Sequence, residues 1–411
     1  MKLSIIMCVY NTEKRLLSES LSSIVSSTLD DYEIVFVDDG STLDYSEIVE
    51  KYKVKYTKTE NRGHFAARLH GIEISEGEYI TFVDSDDTVS KNYHLPMVKK
   101  ADLSGADIVL NGWAFHTDRT KRVTLSSINM AKSFSLVGDA ALSLFSSHGG
   151  KDHSAFVLWN KIFRRETMLS AIKELRRTSL FSKRLTYAED VLISFFCYKN
   201  ASKVVGINSG FYFYRIHSSQ SVIAESEAKI RNQVASVGEV LSTALSHLPE
   251  TETGKKMRED IKRWQELMSR THYSMAKYGG FTSLYPFIKE VYGVEKLAMP
   301  KLADSESYLK SELLGDNFAE IDLMLEKIFL SEGDLSVSYK KSSVFISRIL
   351  ETAEEISGKK ITRKKRGADV TVPSPRVKIR DRVIHNFFVY KLGMLLFKKG
   401  SRIRKFLKSH L

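Results

Sequence analysis

Over its first 110 residues the chain alternates between two hydrophobic periods. KLSIIMCVY reads as a buried strand, and EKRLLSESLSSIVSST spaces its apolar residues as an amphipathic helix does. YEIVFVDDGS is a second strand, ending in Asp38 and Asp39. SEIVEKY then reads as a helix, KVKYTKT as a short strand, GHFAARLHGIEIS as a helix and EYITFVDSDD as another strand. KNYHLPMVKKADLSG is helical and ADIVLNG is a strand. Alternation at this spacing predicts an α/β fold, a mostly parallel sheet with helices on both faces. Ligands of such sheets bind beyond the carboxyl ends of the strands. Tyr10-Asn11, Asp38-Asp39-Gly40-Ser41 and Asp84-Ser85-Asp86-Asp87 all fall at those ends.

Residues 111 to about 220 are less regular. ALSLFSS and VLISFFCYK look helical, and SKVVGIN and FYFYRIH look like two strands. From about Glu225 to Ile356 the pattern is mainly helical, as in KIRNQVASVGEVLSTALSHL and FAEIDLMLEKIFL. Charge, glycine and two prolines mark TRKKRGADVTVPSPR as a linker. The expected organisation is an α/β domain over 1–222, a helical domain over 223–358, a basic linker over 359–375 and a basic amphipathic tail over 376–411.

Composition changes this picture little, and charge changes it at one end. The chain has 411 residues, 43% of them hydrophobic, as an ordinary globular protein does. Its two cysteines, Cys8 and Cys197, sit in apolar runs and read as small core residues of a reducing cytosol rather than a disulfide framework. The N-terminal apolar run is short and leads into charge, unlike a signal peptide. No stretch has the ~18–20 apolar residues a membrane span needs. The net charge is +12, yet Lys359–Leu411 alone holds 17 Lys and Arg against Asp369 and Asp381. The rest of the chain is therefore slightly acidic. Within the tail, FFVYKLGMLLF is too short to span a bilayer but suits an interfacial helix on an anionic membrane. A solvated helix packed on the body, or nonspecific binding to a nucleic-acid backbone, are the other readings. The front of the chain has no basic recognition motif, which argues against nucleic acid.

Asp84 and Asp86 stand two apart beyond a strand. Carboxylates so close repel unless a cation lies among them, and hard Mg²⁺ or Mn²⁺ takes oxygen ligands and bridges to phosphates. The alternative is that the aspartates cap the next turn, the role expected of Asp87. Asp38-Asp39-Gly40-Ser41 is either a simple turn or an acceptor of hydrogen bonds from a base or ribose. Tyr10 offers a ring to a base or to the core rim. Arg62 and Arg68 follow in NRGHFAARLHG, and Arg68 has a planar fork suited to phosphate. Glu189 and Asp190 open a helix, where acids are favoured by the macrodipole, which also tends to keep a carboxylate ionised.

Taken in order, SIIMCVYN, VDDGS, NRG…ARLHGI and GEYITFVDSDD resemble the inverting family 2 glycosyltransferases of GT-A (Rossmann-like) fold, over roughly residues 3–115. The resemblance implies that Val9 and Tyr10 contact the nucleobase and that Asp39 reads the uracil. It places Asp84 near the ribose and sugar, Asp86 on the metal and Arg68 near the donor. More loosely, to about residue 222, YAEDVLISFF resembles the family's E-D motif, making Asp190 the catalytic base with Glu189 beside it. YRIHSSQSV resembles a segment of bacterial wall-polysaccharide members, in which His217 would complete the metal shell and Arg215 would face the diphosphate. LWNKIFRRE implies Asn160 and Lys161 near donor or acceptor. The Q/R-x-x-R-W signature of processive members is not evident.

These residues lead to the expectation of a metal-dependent (Mn²⁺ or Mg²⁺) inverting glycosyltransferase. It would move a sugar from a UDP-sugar to a hydroxyl of a lipid-linked cell-envelope polysaccharide or teichoic acid, working peripherally on the cytoplasmic face of the membrane. The alternatives are another nucleotide-sugar enzyme, such as a nucleotidyltransferase, and a non-catalytic membrane-bound scaffold.

Overall fold

The computed structural model describes residues 1–117, 122–126, 133–146, 153–185, 187–216, 226–298, 335–339 and 361–365. The first strand, β1 (Leu3–Val9), is buried along nearly its whole length, as are β2 (Tyr32–Asp38) and β4 (Tyr79–Phe82). Their unbroken Ile, Val and Phe runs suit strands covered on both faces. β1 pairs in parallel with β2, Val9 lying beside Asp38, and with β4 on its other side. β2 pairs in parallel with β3 (Lys55–Lys58). Helices α1 (Lys14–Val25), α2 (Ser46–Tyr52) and α3 (His64–Ile74) make the crossovers. α3 lies so close on the sheet that a Cβ at Gly71 would fall 2.5 Å from Ile6 Cγ2.

Beyond β4 the strand order is β9 (Lys161–Arg164), β6 (Ile108–Thr117), β10 (Lys203–Ile216) and β5 (Thr88–Val89). β6 and β10 run parallel, but β9 enters between β4 and β6 antiparallel to both. β7 (Arg122–Ser126) adds to β6 and β8 (Phe134–Val137) adds to β10. The predicted sheet is therefore found, but mixed: β1–β4, β6 and β10 run one way, while β9 within the sheet and β5, β7 and β8 around its far end pair antiparallel, which the alternation of strands and helices did not reveal. The two strands read in SKVVGIN and FYFYRIH are a single strand over the described residues, β10, with a register shift between Gly206 and Phe211. Helix α4 (His94–Ser104) packs on β6 and β10, and α7 (Arg165–Leu175) packs on β4, β9 and α8 (Glu189–Asn200). Burial pushes both thiols up, that of Cys8 to about 12, and both cysteines are free.

The C-terminal region opens with α9 (Glu227–Ser246), α10 (Glu252–Gly279) and α11 (Leu284–Tyr292). Ser226 and Thr251 cap α9 and α10 by accepting from Lys229 N–H at 3.3 Å and Gly254 N–H at 3.2 Å. These helices share one hydrophobic core with the sheet, so residue 222 marks no break in it. Trp264 of α10 stacks on Phe156 of α6 (His153–Phe156) at 5.0 Å and meets Phe145, which follows α5 (Asp139–Ser143), at 5.9 Å. Within the segment read as a linker over 359–375, Ile361–Lys365 forms β12, paired in parallel with β11 (Leu335–Tyr339). Ile361 and Thr362 favour strands, but no local pattern announced the partner strand. FAEIDLMLEKIFL and the tail 376–411 lie outside the described residues. Among the described residues no helix is long and apolar enough to cross a membrane.

Candidate active site

The carboxyl ends of β1 and β2 are laced together. Val9 is buried, and its carbonyl accepts from Asp39 N–H at 2.9 Å. Asn11, in the left-handed region at φ 51°, donates its N–H to Ser41 Oγ at 2.9 Å and accepts from Thr42 N–H at 2.9 Å. Asp38 Oδ1 accepts from Ser41 N–H at 2.7 Å, so Asp38 forms the turn. Gly40 sits at φ 76°, and a Cβ there would meet the backbone N of Asn61 at 2.6 Å. Asp39 accepts from Arg62 N–H and Gly63 N–H, one on each oxygen, both at 2.9 Å. It thereby braces the loop that starts α3. Beside this lacing the Tyr10 ring stands open, with Tyr10 48% exposed.

β4 delivers the second acid cluster. Asp84 keeps 28% of its side chain exposed, yet its carboxyl is pushed up, first by removal from water and then by the charge of Asp86. Arg68, buried in α3, offsets part of this. Its Nη2 lies 3.4 Å from Asp84 Oδ1 and its Nη1 2.6 Å from Glu189 Oε1. One guanidinium thus joins the end of β4 to the start of α8, across more than a hundred residues of sequence. Asp190 follows Glu189 in the first turn of α8. Its carboxyl is pushed up to about 7, by burial first and by Glu189 second, against the pull of Arg68 and a 2.8 Å hydrogen bond from Val191 N–H. Desolvation and a neighbouring carboxylate thus act against the terminal dipole, which by itself favours the ionised form. Ala188, just before the pair, is held at φ 64°, a conformation costing an L-residue roughly 1–2 kcal/mol.

Asp87 is buried and does more than cap a turn. Its Oδ2 accepts from Tyr212 Oη–H and its Oδ1 from Arg215 N–H, each at 2.7 Å. The Tyr212 oxygen in turn accepts from Asp84 N–H at 3.0 Å. Arg215 was expected to face a diphosphate. Its guanidinium is instead buried and turned into the protein, Nε donating to Asp86 O at 2.8 Å and Nη2 meeting Glu19 Oε2 at 2.7 Å. Lys161 is corrected likewise. It is fully buried, and Nζ donates to Ser154 O at 2.6 Å, Val157 O at 2.5 Å and Asn160 Oδ1 at 2.7 Å, holding the α6–β9 loop. A buried ammonium needs such acceptors, and they draw it away from the rim.

The structure therefore gathers Arg68, Asp84, Glu189 and Asp190, with Asp86 in the adjoining turn and Val9, Tyr10 and Asp39 along the rim. It does not bring Lys161 to them. His217 lies outside the described residues. Among the described residues, no group of three or more His, Cys, Asp or Glu side chains is gathered to hold a metal ion. Sequence reading missed Tyr212, Glu19 and Trp159, which stacks on Tyr212 at 4.4 Å. The alternation in FYFYRIH put Tyr212 on one face of a strand, but nothing local said what that face would meet.

The sequence profile described as "Glycosyl transferase family 2" matches residues 4–167, the stretch from β1 into α7. The putative glycosyltransferase EpsH of Bacillus subtilis is 32% identical over 224 residues, covering 53% of this chain and 62% of that protein. Glycosyltransferase GlyG of Streptococcus pneumoniae is 30% identical over 232 residues, covering 54% of this chain and 73% of that protein. The chain spans 60–63% of the length of the first three curated relatives it matches. The crystal structure of S. aureus TarS has the same fold at a TM-score of 0.50 and 19% identity, covering 84% of this chain and 57% of that one. The strand order, the acidic rim and these matches agree: the chain belongs to glycosyl transferase family 2.

Proposed function

We propose that this protein is a metal-dependent inverting glycosyltransferase that moves a sugar from a UDP-sugar to a hydroxyl of a lipid-linked cell-envelope polysaccharide or teichoic acid. The observation that carries the reading is the Arg68 bridge, which unites Asp84 of the DSDD turn with Glu189 of the E-D pair. Val9 and Tyr10 line the nucleobase, the exposed Tyr10 ring offering it a face, and Asp39 receives the uracil edge. Asp84 and Asp86 fit a hard divalent ion. They are two oxygen donors beside each other, and removal from water first and the charge of Asp86 after it push the Asp84 carboxyl up, with Asp84 still partly open to solvent. When bound, that ion supplies positive charge against the leaving diphosphate.

Asp190 is the base. Its carboxylate takes the proton of the acceptor hydroxyl, whose oxygen forms the new bond to the anomeric carbon. The bond from that carbon to the diphosphate breaks on the opposite face, UDP departs with the electron pair, and the configuration inverts. A base titrating near neutrality is suited to this work, because about half of it is ionised at pH 7 and most of it above, and it still accepts a proton. Glu189, held by Arg68, keeps the start of α8 oriented. The basic tail 376–411 is assigned to the anionic membrane surface, where a lipid-linked acceptor would lie.

The test is incubation with Mn²⁺ and a panel of UDP-sugars, with and without candidate acceptors, for wild type and Asp190→Asn. UDP release that needs acceptor is expected. The variant should lose roughly 10²–10⁴-fold in turnover while still binding UDP. Equal losses in binding and turnover would remove Asp190 from the base role.

A further inference from the structure

We propose that Tyr212 is a positioning residue for the carboxylates of the Asp84–Asp87 turn, its hydroxyl setting the spacing at which Asp84 and Asp86 present themselves. The proposal rests on the reading above that these two aspartates hold a divalent ion together with a nucleotide.

Tyr212 and Asp87 are both buried. The tyrosine oxygen accepts from Asp84 N–H at 3.0 Å and donates to Asp87 Oδ2 at 2.7 Å. One hydroxyl thus ties the backbone of the first aspartate to the side chain of the last. The other Asp87 oxygen takes Arg215 N–H at 2.7 Å, and Arg215 Nε reaches the carbonyl of Asp86 at 2.8 Å. β10 therefore touches the turn at Asp84, Asp86 and Asp87. The turn's own closure is a single backbone hydrogen bond, Asp87 N–H to Asp84 O at 3.1 Å.

The strands flanking the turn limit its movement. β4 is locked to β1, and β5, which follows the turn at once, pairs with β10 so that Val89 lies opposite Tyr212. The Tyr212 ring is itself clamped against Trp159, 4.4 Å away and tilted by only 17°. A simple turn cap would be exposed and would need none of this. A buried carboxylate, by contrast, has to be matched by donors fixed in place. Removing the hydroxyl leaves Asp84 N–H and Asp87 Oδ2 without their shared partner. The ring stack remains, so the loss falls on the turn's geometry rather than on the core. Groups that orient metal ligands in this way typically change metal affinity about 10–100-fold when removed.

The experiment is calorimetric titration of UDP with and without Mn²⁺ into the full chain, for wild type, Tyr212→Phe, Asp87→Asn and Asp86→Ala. It is joined by turnover as a function of Mn²⁺ concentration. Tyr212→Phe should lose about tenfold of the Mn²⁺-linked gain in UDP affinity. UDP binding without Mn²⁺ should be unchanged. Half-maximal turnover should need correspondingly more Mn²⁺, with kcat largely recovered at saturation. A residue that only supports the fold would lower the melting temperature and leave this Mn²⁺ dependence where it was. That outcome, with Asp86→Ala losing the Mn²⁺-linked gain, overturns the role of Tyr212 and leaves the metal reading intact. If Asp86→Ala keeps the full gain, the metal reading falls and this proposal falls with it. Should Tyr212→Phe fail to fold, Asp87→Asn removes the other half of the pair and is judged by the same shift.

Discussion

Asp190 and His94 show what burial does to single side chains. In the proposed mechanism Asp190 must be ionised to accept a proton, and its carboxyl is pushed up to about 7. Turnover should therefore climb as pH rises through about 7 and level off above it. A profile flat from pH 5.5 to 8 would contradict the assignment. The stability sign runs the other way. Between about pH 4 and 7 the folded acid keeps a proton that the unfolded chain has released, so this residue costs stability as pH rises. His94 is fully buried with neither ring nitrogen hydrogen-bonded, and burial pushes it down to about 3. Unfolded histidine takes up a proton below about pH 6.5, and the folded one cannot until far lower. Stability should fall by about 2 kcal/mol from this site alone between pH 7 and pH 5. His94→Leu should abolish that slope and raise stability at neutral pH, since it also deletes two orphaned polar atoms. Urea denaturation at the two pH values checks it, and equal slopes for both proteins would refute it. Neither shift was legible in the sequence, because it depends on what surrounds the side chain rather than on its neighbours along the chain.

At the scale of elements, Arg68 is the joint between α3, β4 and α8. Arg68→Met would leave the Asp84 and Glu189 carboxylates facing each other with the bridging cation gone. The loss should be about 3 kcal/mol of stability, in the range for breaking a buried pair from one side. Arg68→Lys, which keeps the charge but not the fork, should recover only part of it. Thermal melts of the three proteins decide this, and a Met variant as stable as wild type would show that the bridge carries no load. The strands β1, β2, β4 and β6 were legible because each is an apolar run bounded by turn residues. β9 was not recognisable as an inserted antiparallel strand, since KIFR has the same pattern in either direction. The inward course of Arg215 and Lys161 was not legible for a related reason. A cation's place in a motif says nothing about which carbonyls the fold will set around it, and here those carbonyls hold both side chains inward.

At the scale of the whole molecule, the helices α9–α11 continue the core of the sheet rather than standing apart from it. The basic tail is the one region whose expected role is set by charge. Removing residues 367–411 should sharply reduce co-sedimentation with anionic liposomes, most visibly at low salt, while leaving UDP binding by the body unchanged. Unchanged sedimentation would refute the membrane assignment. By itself the sequence determined the α/β class, the parallel half of the sheet, the acidic strand ends and the order of motifs that marks the family. These are local matters of period, turn chemistry and residue type. Only the tertiary structure decided that Arg68 joins Asp84 to Glu189, that Tyr212 ties Asp84 to Asp87, that Lys161 is buried and that Asp190 titrates near neutrality. Each depends on groups distant in the chain coming within hydrogen-bond range and on water leaving the space between them, and neither is written in a local pattern.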